Sequence, residues 1–330
     1  MARMVLLSSG AWADVALEEL APRAAEWGGQ GLELCCWTEH FEIQPALSEA
    51  DYTQKKLDLL NRNELTAPVL DVRRVGHAVC GPIDGRLQQF LPDYVWGDGD
   101  PEGVRQRAAE EMLAAVQAAQ KLGVGTLSGF TGATLSALPT FPPYDADAIA
   151  RALDEFARAW QPILEACREA GIRFAAQVQP GQMAFDLYSA EQVINALEAP
   201  AEFGFTLNPA ALHWQGVDPV EFVRRFPERI FHVHCQDAAI RLDGRSGLFG
   251  PWPAGDARRG WDARAPGHGG VDWESLIRAL NDVGYDAALA VDFEDAGMDR
   301  DWGGEDACRF IKRLDFTPAP RNAEQAFRPA

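Results

Sequence analysis

Residues Ile230-Phe231-His232-Val233-His234 and Ala288-Leu289-Ala290-Val291-Asp292-Phe293 are short, nearly continuous apolar runs whose last positions turn polar. Runs of this kind are typical of strands buried on both faces of a parallel sheet. Six similar runs precede them along the chain: Met4–Ser8, Gly31–Trp37, Pro68–Val75, Gly125–Phe130, Ile172–Val178 and Phe203–Leu207. The sequence therefore predicts eight parallel strands with a helical stretch after each.

The stretches between the runs carry helix-start signals. Asp218-Pro219-Val220-Glu221 offers an N-cap, a proline at the first helical position and a glutamate two residues later. Ser189-Ala190-Glu191-Gln192 repeats this arrangement with Ser189 as the expected N-cap, and Asp272 and Asp100-Pro101 open two more helices. The alternation of strand and helix along the whole chain places the protein in the α/β class.

The connections are long after the strands and short before them. The loops at about 76–100 and 238–270 are the longest, and no Pro/Ser-rich linker divides the chain. Eight βα units with long strand-to-helix loops predict a (β/α)₈ TIM barrel, a single domain over residues 1–330, with its site at the C-terminal strand ends. The alternative is a doubly wound open sheet, but Ser8-Ser9-Gly10-Ala11 after the first strand is not a glycine-rich phosphate loop.

The composition is that of a globular protein with a sizeable core. Of the 330 residues, 47% are hydrophobic and 24% are charged, and 49 acidic against 30 basic residues give a net charge of −19. A field of this sign repels nucleic acid and anionic membranes, so we expect neither as a partner. No apolar run approaches the roughly 20 residues of a membrane span.

The cysteines and the N-terminus favour a cytoplasmic location. The apolar stretch near the N-terminus is too short for a signal peptide. Cysteines without CxxC spacing in a large chain are expected to be reduced thiols, and here they occupy positions 35, 36, 80, 167, 235 and 308.

Polar side chains gather where the last four predicted strands end. These segments are Gln177-Val178-Gln179-Pro180, Asn208-Pro209, His232-Val233-His234-Cys235-Gln236-Asp237 and Asp292-Phe293-Glu294-Asp295. Because side chains alternate along a strand, His232 and His234 share one face, as do Asp292 and Glu294. The sequence therefore predicts a site built from strands five to eight. Asp292 and Glu294 form either a paired-carboxylate site or a solvated rim, and His234 is either a functional group or a hydrogen-bonded core histidine.

Several longer motifs resemble those of the sugar phosphate isomerase/epimerase family, the xylose isomerase-like TIM barrels of the AP endonuclease 2-like superfamily. The resemblance extends over nearly the whole chain and rests on six segments: 37–42 (WTEHFE), 94–105 (YVWGDGDPEGVR), 184–186 (AFD), 214–222 (WQGVDPVEF), 266–272 (PGHGGVD) and 294–300 (EDAGMDR).

The resemblance implies a divalent metal, Mn, Mg, Co or Zn, held by one residue from each of the last four strands. It also implies aldose–ketose isomerisation or epimerisation through an enediol, with carboxylates as general acid and base. Carried over residue by residue, the family's Glu, Asp, His and Glu ligands correspond to Gln177, Asn208, His234 and Asp292 in this sequence.

Three of these four residues depart from the family pattern. The family set carries a formal charge of −3, whereas Gln, Asn, His and Asp carry −1, and hard divalent cations prefer carboxylate oxygens. The neighbouring polar positions are also altered, with Gln179 where a His is usual and Gln236 where a Lys is usual. We therefore expect a degenerate metal site whose chemistry is lost or strongly changed.

Further residues are candidates for binding a substrate. Gln177, Gln179, Asn208 and Asp237 lie at strand ends, and Glu33, His40, Trp214 and Arg264 complete the predicted set. Glu33 is either a polar site residue or a buried salt-bridge partner, and His40 either contacts substrate or packs its loop. The five arginines of the long seventh loop form either an anion clamp or ion pairs with aspartates of the same loop: Arg241, Arg245, Arg258, Arg259 and Arg264.

Three functions are consistent with these observations. The first is an isomerase or epimerase acting on a sugar, polyol or keto-sugar, using Asp292 or Glu294 with His234 for proton transfer. The second is a catalytically inactive relative that binds a carbohydrate, and the third is a keto-glycoside lyase or hydrolase. Each takes a small-molecule carbohydrate as its ligand, and the family often forms homo-oligomers.

Overall fold

Eight parallel strands close into a barrel in the computed structural model, which describes residues 2–138 and 141–318. The barrel strands are β1 (Val5–Ser8), β2 (Gly31–Cys35), β3 (Thr66–Asp71), β4 (Thr126–Gly129), β5 (Arg173–Gln177), β6 (Phe203–Leu207), β7 (Ile230–Cys235) and β10 (Leu289–Val291). Each strand pairs with its neighbours in chain order, and β10 closes the barrel between β7 and β1. The (β/α)₈ prediction is confirmed.

Helices follow the strands around the outside of the barrel. They are α1 (Leu17–Glu26), α2 (Ile43–Ser48), α3 (Tyr52–Arg62), α4 (Arg73–Cys80), α5 (Gly85–Gln88), α6 (Asp93–Trp96), α7 (Pro101–Leu122), α8 (Ala146–Ala170), α9 (Leu187–Ala196), α10 (Pro209–His213), α11 (Pro219–Arg225), α12 (Trp273–Asp282) and α13 (Arg300–Leu314). Within the described ranges, none of them is long and apolar enough to cross a membrane.

Alternation along β7 separates the packing residues from the site residues. Val233 and Cys235 belong to the large apolar cluster that joins the strands to the surrounding helices. His232 and His234 point the other way, and their rings lie 5.1 Å apart inside the barrel. The shared face predicted for these two histidines is confirmed.

Two local predictions need correction. The third strand ends at Asp71, and Arg73 already begins α4, because Val75 and Val79 bury one face of a short helix. The helix expected to start at Ser189 starts at Leu187, because Asp186 is its N-cap and Ser189 completes the capping box from the third helical position. The caps at Asp100, Asp218 and Asp272 are confirmed.

The two long loops contain structure of their own. Residues 76–100 include the end of α4 together with α5 and α6. Residues 238–270 contain most of an antiparallel pair, β8 (Asp237–Ile240) with β9 (Trp261–Arg264). Both loops follow strand ends on the same side of the barrel, so they surround its C-terminal mouth.

Candidate active site

The ends of β2 and β7 place one carboxylate beside two histidines inside the barrel. His234 Nε2 lies 2.9 Å from each carboxylate oxygen of Glu33, and His232 Nε2 lies 3.4 Å from Glu33 Oε2. All three side chains are buried. A buried charge without a partner is costly, so Glu33 and His234 stabilise each other. Glu33 is thus a buried ion-pair partner of His234, and its contact with a substrate stays a prediction.

The pair shifts the protonation of both of its members. Burial alone would raise the pKa of Glu33, but the charges of His234 and His232 outweigh burial and hold that pKa well below 4.5. Burial alone would lower the pKa of His234, yet Glu33 and Asp292 raise it above 6.5. Each member of the pair therefore favours the charged form of the other, relative to the two side chains apart.

Arg73 brings a second cation into the barrel mouth from the start of α4. Its Nε donates to Asp71 Oδ2 at 2.6 Å, and its Nη1 donates to Asp292 Oδ2 at 3.2 Å. His234 Nδ1 lies 3.4 Å from the same Asp292 oxygen. The Asp292 carboxylate therefore lies between a guanidinium and an imidazolium.

A chain of amides connects the sixth strand to the mouth. Asn208 Nδ2 donates to Gln236 Oε1 at 2.7 Å, and Gln236 Nε2 donates to Glu294 Oε2 at 2.8 Å. Asn208 Oδ1 accepts the backbone N–H of Ala211 at 3.2 Å and so caps α10. Both ends of the Asn208 amide are therefore engaged within the protein.

Glu294 is the carboxylate of this cluster that keeps an exposed surface at the mouth. The surrounding protein displaces water from it and raises its pKa above 4.5, and the negative charge of Asp292 adds to this effect. A carboxyl group whose pKa moves toward neutrality, at an accessible strand end, is suited to proton transfer.

Gln177 and Gln179 lie together at the end of β5. Gln177 Nε2 donates to Gln179 Oε1 at 3.4 Å, whereas the buried Gln177 Oε1 has no hydrogen-bond partner among the described residues. A buried amide oxygen without a hydrogen bond reduces the stability of a folded protein. Its presence at Gln177 makes this oxygen a candidate contact for a ligand.

The four positions that correspond to the family's metal ligands do not fit a divalent cation in this arrangement. Asn208 is committed to Ala211 and Gln236. Asp292, the one carboxylate of the set, already receives the guanidinium of Arg73. A metal ion would meet a fixed positive charge there and gain a single anionic ligand.

Another group has the composition of a metal site. Glu33, His232 and His234 offer ligand atoms that all lie within 4.8 Å of one another. Two ligands of one tetrahedral zinc ion lie about 3.3 Å apart, given bonds of about 2.0–2.1 Å. The 2.9 Å separation of Glu33 and His234 is instead that of a hydrogen-bonded ion pair, which a bound metal would have to displace.

Two predicted substrate contacts have their polar atoms engaged inside the protein. His40 is buried, with Nε2 2.8 Å from Val15 O and Nδ1 3.6 Å from Cys35 Sγ. Asp237 is buried and accepts four hydrogen bonds, from the backbone N–H groups of Ala238, Gly267 and Val271 and from Trp273 Nε1. Substrate contact by either residue stays a prediction.

The arginines of the seventh loop mostly form ion pairs. Arg241 pairs with Asp262, Arg258 with Asp256 and Arg264 with Asp295. Arg259 instead lies 3.8 Å from the ring centroid of Trp261. The alternative of ion pairs within the loop therefore holds for Arg241 and Arg258. Arg264 pairs instead with Asp295 after the last barrel strand, and its contact with a substrate stays a prediction.

Two neighbouring clefts open at the mouth, and the smaller contains arginines that the sequence did not single out. The larger, about 800 Å³, includes Trp252, Arg259 and the stacked rings of Trp214 and Trp261, whose centroids are 4.4 Å apart. The smaller, about 520 Å³, includes Arg73, Arg74, Phe90 and Gln179. Asp71, Arg73 and Arg74 were missed because their segment resembled a continuing strand; charged residues directly after a buried run were the available signal.

A family model described as the xylose isomerase-like TIM barrel matches residues 21–314. The chain belongs to the xylose isomerase-like TIM barrel family.

Curated relatives match shorter parts of this family member. The uncharacterized protein YfiH of Bacillus subtilis (strain 168) is 25% identical over 161 residues, which is 47% of this chain and 50% of YfiH. The rhizopine catabolism protein MocC of Rhizobium meliloti is 38% identical over 82 residues, 24% of this chain and 25% of MocC. The chain thus spans half or less of the length of these relatives.

Solved structures of the same architecture cover nearly the whole barrel. The probable 3-DHS dehydratase AsbF of Bacillus anthracis gives a TM-score of 0.65 at 15% identity, covering 94% of this chain and 98% of AsbF. The 3-keto-D-glucoside 4-epimerase YcjR of E. coli gives 0.64 at 12% identity, covering 94% and 99%. At these identities the similarity shows the fold alone.

Proposed function

We propose that this chain is an isomerase or epimerase of a sugar or keto-sugar that transfers a proton beside the substrate carbonyl without depending on a divalent metal. The observation that carries the proposal is the 3.2 Å contact between Arg73 Nη1 and Asp292 Oδ2. This contact holds the permanently charged guanidinium of Arg73 against Asp292, the carboxylate that corresponds to a metal ligand in the family.

Glu294 is the proposed base and acid. Its carboxylate removes the proton from the carbon next to the carbonyl, and the electron pair forms the enediolate double bond while the carbonyl oxygen becomes negative. Isomerisation follows when Glu294 returns the proton to the former carbonyl carbon while the proton of the adjacent hydroxyl group moves to the enediolate oxygen, so that the hydroxyl carbon becomes the new carbonyl. Epimerisation follows when the original carbon instead takes a proton on its opposite face from solvent at the open mouth, and Glu294 then releases its proton to solvent. The raised pKa of Glu294 and its hydrogen bond from Gln236 suit this role.

Arg73 is the proposed electrophile for the enediolate oxygen. It borders the cleft of about 520 Å³ through which a ligand can approach. Its Nη2 is buried and makes no hydrogen bond of acceptable geometry, although it lies 2.5 Å from Asp71. A guanidinium fixed by two carboxylates is preorganised, which is the condition for electrostatic stabilisation of a developing anion. Similarity to an epimerase fold is a weaker support, shared by many barrels.

A carbohydrate-binding protein without catalysis is the second candidate. The observation that favours it is the same pairing, because Asp71 and Asp292 already neutralise Arg73 in the absence of a substrate. Under this alternative, a sugar would bind at the mouth and stabilise the protein without any exchange of carbon-bound protons.

Proton exchange with solvent tests the proposal. The chain is incubated in D₂O, with and without EDTA, with a panel of aldoses, ketoses and keto-sugars, each in neutral and anionic forms, and deuterium at the carbon next to the carbonyl is followed by NMR. We expect exchange that EDTA leaves unchanged. We expect Glu294→Gln to lower the rate about 10²–10⁴-fold, whereas Glu274→Gln on the outer helix α12, paired with Arg278, leaves it unchanged.

Two results would contradict the proposal. Sugar binding without exchange would favour the second candidate. Exchange that EDTA abolishes and Mn²⁺ restores would show that the reaction depends on a metal.

A further inference from the structure

Arg74 differs from its neighbour Arg73 in making no ion pair with an acidic side chain of the described residues. Its guanidinium carbon lies over two aromatic rings, 4.8 Å from the centroid of Trp37 and 5.2 Å from that of Phe90. Over residues 2–138 and 141–318, no carboxylate oxygen lies within 4.0 Å of its nitrogens. Contacts with ring faces fix the plane of a guanidinium but leave its N–H groups free to bind a ligand.

The cleft beside Arg74 is locally positive in an acidic protein. Its lining includes three arginines, Arg73, Arg74 and Arg86, and one acid, Asp84, which gives a formal charge of 3 − 1 = +2 in a chain of net charge −19. Arg73 binds Asp71 and Asp292, and Arg86 binds Asp84. Within the part of the chain that the structure describes, Arg74 is therefore the arginine of this lining that has no carboxylate in ion-pair contact.

A smaller cavity of about 270 Å³ also borders Arg74. Glu42 lines this cavity but does not come within ion-pair distance of Arg74. Burial lowers the pKa of Arg74, and the adjacent positive charge of Arg73 acts in the same direction. Both effects disfavour the charged form of the Arg74 guanidinium, and a bound anion would stabilise that form.

We infer that Arg74 binds an oxyanion, a carboxylate or phosphate group, carried by the substrate of the barrel mouth, and so selects anionic over neutral sugars. The inference deepens the proposed function and rests on it for the sugar part of the ligand. Arg73 connects the two places, because it lines the same cleft and contacts Asp292. An anion held by Arg74 therefore places the rest of the molecule beside the Arg73–Asp292 pair.

Matched ligands on variants of the full chain test this inference. Titration calorimetry at low salt measures the dissociation constants of inorganic phosphate, a hexose, its 6-phosphate and its uronic acid. We expect the anionic sugars to bind more tightly than the hexose, and Arg74→Gln to weaken them about 10- to 100-fold. The hexose affinity should be unchanged in Arg74→Gln, and Arg278→Gln on the outer helix should behave like the native chain.

Arg74→Lys covers the case in which Arg74→Gln does not fold. It keeps the charge but loses the planar pair of donors, so we expect an intermediate loss of affinity for the anionic sugars. The ratio of the 6-phosphate and uronate affinities identifies which oxyanion the site prefers.

The inference is overturned if the native chain binds anionic and neutral sugars equally, or if Arg74→Gln and Arg74→Lys keep the anion preference. Failure here is distinguishable from failure of the proposed function. Deuterium exchange into neutral sugars as fast as into their anionic counterparts, with equal affinities, supports the enzyme while overturning the anion preference. Arg74-dependent anion binding without exchange supports the inference and contradicts the enzyme.

Discussion

At the scale of single residues, the buried Glu33–His234 pair gives a pH-dependent stability. The pKa of Glu33 is lowered, so its contribution is present above its unfolded pKa near 4.5 and is lost as the pH falls through the lower folded value. The pKa of His234 is raised, so its contribution is full below its unfolded pKa near 6.5 and is lost as the pH rises through the higher folded value. The two windows overlap between about pH 4.5 and 6.5.

We expect Glu33→Gln to reduce the free energy of unfolding by about 1.5–3 kcal/mol at pH 5.5, because it removes one of the two carboxylates, Glu33 and Asp292, that face the buried imidazole of His234. The deficit should shrink as the pH rises past 6.5 and His234 loses its proton. Urea denaturation from pH 5 to 9 measures this, with Glu274→Gln as the exposed control. A deficit that stays constant across this range would show that the pair is not ionised.

Side-chain contacts between residues far apart in the chain were the part of the site that could not be predicted from the sequence. Asp292, Glu294 and His234 were found because each follows or ends an apolar run. The partner of Asp292 was not, because Arg73 lies 219 residues away in sequence and only barrel closure joins them. Likewise, the free amide oxygen of Gln177 and the engaged amide of Asn208 depend on side-chain contacts that no local pattern encodes.

At the scale of elements, strands were predictable and short helices were not. A buried parallel strand is visible in the sequence as a continuous apolar run, and each of the eight runs contains a barrel strand. The third strand was predicted to continue to Val75, into the first residues of α4. This helix has eight residues, which is too few to show a clear helical period in the sequence. The β8–β9 pair was missed for a similar reason, since its strands are four residues long and flank a polar segment.

Asp237 joins the β8–β9 pair to the start of α12, and its replacement tests that connection. Its carboxylate accepts four hydrogen bonds, and Gly269 approaches so closely that a Cβ there would lie 2.1 Å from Asp237 Oδ1. An amide would turn an NH₂ group toward two of these donors. We expect Asp237→Asn to reduce the free energy of unfolding by about 2–4 kcal/mol and to speed hydrogen exchange over residues 265–273.

Asp243→Asn is the matched control for Asp237. Asp243 also accepts backbone N–H groups, from Arg245 and Ser246, but it lies exposed in the same loop. Equal losses of stability in the two variants would contradict the role of Asp237 as the anchor of this segment.

At the scale of the whole molecule, two opposing charges act on a divalent cation: the negative net charge of the chain and the positive charge of Arg73 at the barrel mouth. Measuring metal binding distinguishes their effects. A net charge of −19 attracts any divalent cation weakly, and salt screens that attraction. At the mouth, Arg73 opposes a cation beside Asp292. The double variant Gln177→Glu with Asn208→Asp restores two carboxylates, and we expect it to recover Mn²⁺ binding only in part. Adding Arg73→Gln should strengthen Mn²⁺ binding by about tenfold or more, because the removed positive charge opposes the cation by over about 1.4 kcal/mol.

Titration calorimetry in 0.2 M salt and plasma mass spectrometry of the purified chains measure this series. We expect one Mn²⁺ per chain in the triple variant, weaker binding in the double variant, and only salt-sensitive binding in the native chain. One equivalent bound by the native chain as tightly as by the triple variant would contradict the placement of Arg73 as an obstacle to the metal. Loss of that equivalent in His232→Gln but not in Gln177→Ala would then locate it at Glu33, His232 and His234 rather than at the family position.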